Sequence, residues 1–166
     1  MNGIRLVLRG VHHGEHRLAG ELLAVAERHR TEHEVHHVAL DLAAWSREHV
    51  RRLAETARGH DLDLSGPPES PPDSPPGFLT ALREKAAETM GRRPEPGLLL
   101  LRDLRDLHLA ASENSLSWEM LAQAAQAAKD TELLELVSFC HPRTLRQMRW
   151  TNTMVKILSP QILTSL

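Results

Sequence analysis

Apolar side chains recur at three- and four-residue spacing over long stretches of this chain, and glycine and proline interrupt them at few places. That is the signature of amphipathic helices. Leu18, Leu22 and Val25 form one such stripe; Val38, Leu42, Trp45, His49 and Leu53 form a second. A polar run over residues 28–34 separates them, and Thr31 followed three residues later by Glu34 has the spacing of a capping box. The pattern predicts a helix near 12–29 and another near 32–59, ended by Gly59. Beyond Pro96 there is no glycine after Gly97, and prolines stand only at 142 and 160. This predicts two further long helices, over 98–128 and 131–158, with Asp130 or Thr131 as the cap between them and Ser159-Pro160 as the stop. Pro142 lacks the N–H that would bond back to Ser138, so a kink or interruption is expected there.

The middle of the chain reads differently. Six of the ten prolines lie between Pro67 and Pro76, which excludes a helix interior or central strand and predicts an extended connector. Pro68-Glu69-Ser70-Pro71 fits a PxxP ligand, a match that short acidic connectors also produce by accident. Phe78–Met90 reads as one short helix stopped by Gly91. The organisation is a helix hairpin over 12–59, a Pro-rich crossover over 60–96 and a second hairpin over 97–160, in one domain spanning 1–166. The expected fold class is all-α: an antiparallel four-helix bundle whose long crossover carries one short extra helix.

Composition narrows the choice of function. The chain has 166 residues, enough for a single self-sufficient core. It contains only five aromatic residues, so leucine and alanine must fill that core. Lys+Arg is 20 against 22 Asp+Glu, a formal charge of -2, which argues against a dedicated nucleic-acid partner. No apolar run approaches the ~20 residues that span a bilayer, so no membrane partner is expected. The start, residues 1–11, is too short and too interrupted by arginine for a signal peptide. One cysteine, Cys140, excludes an intrachain disulfide. The expected setting is cytoplasmic. Eleven histidines are present, seven of them between His12 and His37.

The phrases HHVALDLAAWSREHVRRLAE (36–55) and LLLLRDLRDLHLAASENSLSWEMLAQAAQA (98–127), together with the long crossover, resemble the ferritin-like superfamily. That resemblance implies a bundle centre in which one helix of each pair gives a Glu and its partner a Glu-x-x-His, holding iron or manganese. Glu15 extends the first stripe backward and His49 belongs to the second. With the turn near residue 31 they stand at almost one height, so a buried Glu–His pair is expected, read either as a salt bridge or as metal ligands. Glu34 and His37 have the Glu-x-x-His spacing but lie one turn from the loop. The third helix offers Glu113, Asn114 and Glu119; the fourth offers His141, Thr144 and Gln147, with no Glu-x-x-His. The candidate metal set is therefore Glu15, His49, Glu113 and His141, short of the bridging carboxylates of a diiron centre, and neither iron nor manganese is favoured.

Other chemistry is thinner. His29, His33, His36 and His37 have HxxxH spacing around a loop, as do His12 and His16 on the first helix. Cys140-His141 lacks an orienting third group, and Cys140 fits the apolar stripe of Leu133 and Val137. His36-x-x-x-x-Asp41 mimics one hemerythrin motif without its remaining ligands. Two functions follow: a structural or partner-binding bundle without a complete diiron site, or a metal-binding or redox protein with an unorthodox ligand set. Leu98-Leu99-Leu100-Leu101 surrounds one helical turn with apolar groups, and Trp150, Met154, Val155, Ile157 and Ile162 add to the excess. A homodimer is therefore expected, with another protein partner as one alternative and coverage by the 78–90 helix within one chain as the other.

Overall fold

In the computed structural model the described residues are 2–66 and 95–166. They form four helices: α1 (Gly3–Arg28), α2 (His33–Arg58), α3 (Pro96–Ala128) and α4 (Thr131–Leu163). No strand occurs among the described residues, which are all-α, as the periodicity predicts. The proline-rich stretch 67–76 and the short helix expected over Phe78–Met90 lie outside the described residues.

The expected boundaries shift at three places. Helix α1 starts at Gly3 rather than near 12, because Ile4, Val7, Leu8 and Val11 carry its apolar stripe back another two turns and Asn2 caps it, accepting from the Ile4 N–H at 3.0 Å. Helix α2 begins after Glu32, which makes no side-chain cap bond, so the Thr31–Glu34 capping box does not form. Helix α4 runs through both Pro142 and Pro160 to Leu163. The carbonyls these prolines leave without a donor belong to Ser138 and Lys156, both exposed, where water can satisfy them. Asp130 is the α4 cap, accepting from the Leu133 N–H at 3.0 Å, and Lys129 turns the chain with a left-handed φ of 54°.

Each helix packs on two others: α1 on α2 and α3, and α4 on α3 and α2. One end is tied where Arg5 donates to the carbonyls of His60 and Asp61 at 2.6 and 2.9 Å and His60 meets Asp130 at 3.0 Å. The other end is tied where buried Asp103 accepts from His29 at 2.7 Å and from Arg28 at 2.6 Å. Two glycines set close approaches. A Cβ on Gly14 would stand 2.1 Å from Asn114 Oδ1, so the Asn114 amide occupies the space a side chain there would take. A Cβ on Gly97 would lie 2.8 Å from Ile162 Cγ2, where the start of α3 meets the end of α4.

The core is split in two. One cluster gathers Leu18, Leu22, Val25, Val35, Leu42, Leu104, Leu107 and Met154. The other gathers Leu8, Val11, Leu53, Trp118, Leu121, Leu133, Val137 and Cys140. Each leucine buried this way stabilises the fold by about 1.5–3 kcal/mol before entropy is counted. On every helix the residues between the two clusters are polar and buried: Glu15 on α1, Ser46 and His49 on α2, Asn114 on α3, Thr144 and Gln147 on α4. The bundle thus carries one polar layer between two apolar halves.

Candidate functional site

The layer centres on Glu15, whose side chain is 0% exposed. It reaches the axis because it continues the Leu18–Leu22–Val25 stripe one turn toward the N-terminus. Its Oε1 receives the indole N–H of Trp118 at 3.0 Å and the hydroxyl of Thr144 at 3.4 Å. His49 Nδ1 approaches the same oxygen at 3.2 Å, also at 0% exposure, but off the line of a hydrogen bond. One carboxylate oxygen therefore collects contacts from α2, α3 and α4. The rings of Trp118 and Phe139 stand edge-on to His49, at 6.0 and 6.4 Å between centroids.

The rest of the layer is neutral. The Gln147 amide donates to the Leu42 carbonyl at 3.1 Å and to Ser46 Oγ at 2.9 Å, joining α4 to α2. Asn114 lies against Gly14. Glu15 Oε2, both ring nitrogens of His49, the Asn114 amide nitrogen and Gln147 Oε1 are buried and make no hydrogen bond among the described residues.

Of the four residues proposed as ligands, the fold brings Glu15 and His49 together. Glu113 is exposed; its neighbour Asn114 faces inward instead. His141 is half-buried beside Ser115 Oγ at 3.0 Å and 3.9 Å from Glu119, away from Glu15. Among the described residues no cluster of three or more histidine, cysteine, aspartate or glutamate side chains is arranged to hold a metal ion. The donor set does not fit the two-metal centre that the ferritin-like resemblance implies. Two metals need several anionic oxygens, and the layer has one carboxylate. An indole N–H is a donor only, and it takes up Oε1 of that one carboxylate.

Sequence reasoning missed two participants. Trp118 belongs to the α3 stripe of Leu104, Leu107, Ala111, Asn114 and Leu121, and counting from the α3 end would have set it level with Glu15. Asp103 escaped because an Asp within an Arg-rich turn reads as surface. In the fold it is 5% exposed, and it draws His29, expected in a solvated loop, into a buried pair. Burial pushes the Asp103 carboxyl up, but hydrogen bonds from His29, Arg28 and Arg102 outweigh it and hold the group below the usual aspartate range. Of the remaining loop histidines, His36 bonds the Ala26 carbonyl at 2.7 Å through Nδ1, and His33 and His37 are exposed. Burial, with Glu15 nearby, pushes the Cys140 thiol up, which suits a core residue rather than a nucleophile.

No helix among the described residues is long and apolar enough to cross a membrane. No protein-family model, no curated protein and no solved structure matches this chain.

Proposed function

We propose that this chain is a ferritin-like antiparallel bundle, its second and third long helices joined by the Pro-rich crossover, and that it serves as a structural or partner-binding module rather than a diiron protein. The observation that carries the reading is the filling of Glu15. Where a diiron protein would bridge metals with a carboxylate, this one spends the oxygen on Trp118, Thr144 and His49. Glu15 then acts as a tie that fixes the mutual height of four helices, a role buried polar groups serve when alternative registers compete. The antiparallel arrangement is supported by the order of contacts along α1. Arg5 meets residues 60 and 61, Glu15 meets 49 and 118, and His29 meets 103.

A second reading, a single bound ion, is favoured by the free Oε2 of Glu15 and the unbonded ring nitrogens of His49. Anaerobic loading of untagged protein with ferrous iron, for wild type and Glu15→Ala, separates the two. The module reading expects neither protein to retain stoichiometric iron and Glu15→Ala to lose stability. One iron per chain in wild type, absent from the variant, establishes the single-ion site instead. Two irons per chain overturn both.

A further inference from the structure

Ser115 on α3 and His141 on α4 meet across the seam between these helices, away from the polar layer. Ser115 Oγ lies 3.0 Å from His141 Nε2. Oε2 of Glu119 lies 3.9 Å from the other ring nitrogen, Nδ1, and Oε1 of Glu119 accepts from the Gln123 amide at 3.1 Å. Hydroxyl, imidazole, carboxylate and carboxamide thus stand in series. Ser115, Glu119 and Gln123 are spaced four residues apart, so they share one row of α3, and His141 reaches that row from α4. The order is that of a nucleophile, a base and the group that orients the base. Ser115 also differs from its neighbours on α3. Ser112 and Ser117 turn their hydroxyls to carbonyls one turn back, those of His108 at 2.7 Å and Glu113 at 3.4 Å. Ser115 turns to His141 instead. The side chains of His141 and Glu119 are 17% and 57% exposed, so a small molecule can reach the series from solvent.

We propose that Ser115 is a nucleophile, served by His141 as its base, that accepts the acyl group of small esters with good leaving groups, aryl esters above all. The Glu119 carboxylate faces Nδ1 and favours the tautomer with the proton there, which leaves Nε2 to accept from the Ser115 hydroxyl. Gln123 holds one Glu119 oxygen and leaves the other toward the ring. The 3.9 Å gap is too long for a hydrogen bond, and rotation of the exposed Glu119 side chain closes it as positive charge develops on the imidazole. In the reaction Oγ bonds to the carbonyl carbon while its proton passes to Nε2. The bond to the aryloxide then breaks, and the phenol leaves with that proton. Water, deprotonated by the same nitrogen, attacks the acyl-serine, releases the carboxylic acid and restores the hydroxyl. Ser115 lies in mid-helix, where the backbone N–H groups are committed to α3 and none is free to hold the oxyanion. That confines the activity to activated esters and excludes amides.

This activity goes beyond the module reading and does not depend on it. Its test treats the full chain with a fluorophosphonate, in which phosphorus stands for the carbonyl carbon and fluoride leaves, and locates the adduct by peptide mass spectrometry. Ser115 is expected to react roughly a hundredfold faster than Ser112 and Ser117, the factor a positioned general base supplies. This comparison within one helix needs no variant, and in urea the preference is expected to vanish. His141→Ala is expected to abolish it and added imidazole to restore part of it, which a packing role for His141 would not do. Glu119 is a positioning residue: Glu119→Gln is expected to slow the reaction roughly tenfold or more, and Glu119→Asp to retain most of the rate. With p-nitrophenyl acetate, an acetyl group is expected on Ser115 that is released with time and is absent from Ser115→Ala. Equal reaction of the three serines in the folded chain overturns the proposal. So do adducts confined to histidines, or a folded His141→Ala that reacts at Ser115 as fast as wild type.

Discussion

The indole N–H of Trp118 donates to Oε1 of Glu15 at 3.0 Å, across 103 residues of sequence, with both side chains fully buried. This bond joins α1 to α3 inside the core and occupies Oε1 of the carboxylate. Trp118→Phe keeps most of the ring but removes the donor. Its expected cost is about 1–3 kcal/mol, since a buried carboxyl oxygen loses a donor. Urea unfolding of the variant, followed by circular dichroism, measures it.

Glu15 and His49 are expected to be strongly coupled. Glu15→Leu takes from His49 its polar neighbour among Trp118 and Phe139, and His49→Leu leaves Glu15 with Trp118 and Thr144 alone, so each single change costs about 1–3 kcal/mol. Changing both removes the buried polar pair together, and the double variant is expected to lose much less than the sum. A double-mutant cycle in urea should give an interaction energy of about 1–3 kcal/mol. Additivity would mean that the 3.2 Å approach contributes nothing.

The helices and the Glu15–His49 pair were legible from periodicity and from counting outward from the first turn, because both residues continue apolar stripes. Two kinds of feature were not. Pro142 and Pro160 look like breaks, yet whether proline stops a helix depends on whether its orphaned carbonyl faces water, a property of the fold. Glu113 and Asn114 are adjacent, and a one-residue turn of about 100° decides which enters the core. The Asn114 amide lies in the space a side chain at residue 14 would take, a fit that only the packed helices reveal. Asp103 was hidden for a different reason: its partners His29 and Arg28 come from the end of another helix, and nothing near it in sequence announces them.

Asp103 gives the fold an acid dependence. Its carboxyl, raised by burial but lowered further by His29, Arg28 and Arg102, titrates below an unfolded aspartate. The folded state therefore binds fewer protons than the unfolded state in that window. The stabilisation is complete above the unfolded value of about 4 and is lost as pH falls through the lower folded value. Thermal melts from pH 7 to pH 2.5 should show a steeper acid decline for wild type than for Asp103→Asn, which starts less stable and no longer carries that titration.

Cys140 is expected to be inert in the native protein. It is 0% exposed and its thiol is pushed up by burial, so little thiolate is present at neutral pH. Ellman's reagent should react on the order of a hundredfold more slowly with folded than with urea-unfolded chain, tracking transient opening of the α4 segment. Rapid native reaction would place Cys140 at an accessible site.

The most direct measurement of the central claim follows the Trp118 indole proton by two-dimensional nitrogen-correlated NMR, assigned through Trp118→Phe and titrated with zinc and then, anaerobically, with ferrous iron. If Glu15 is held by the chain's own donors, the Trp118 signal is protected from solvent exchange and keeps its position and width as metal is added. Loss, displacement or paramagnetic broadening of that signal at one or two equivalents of metal would contradict the account, because it would place a cation in or beside the Glu15 layer.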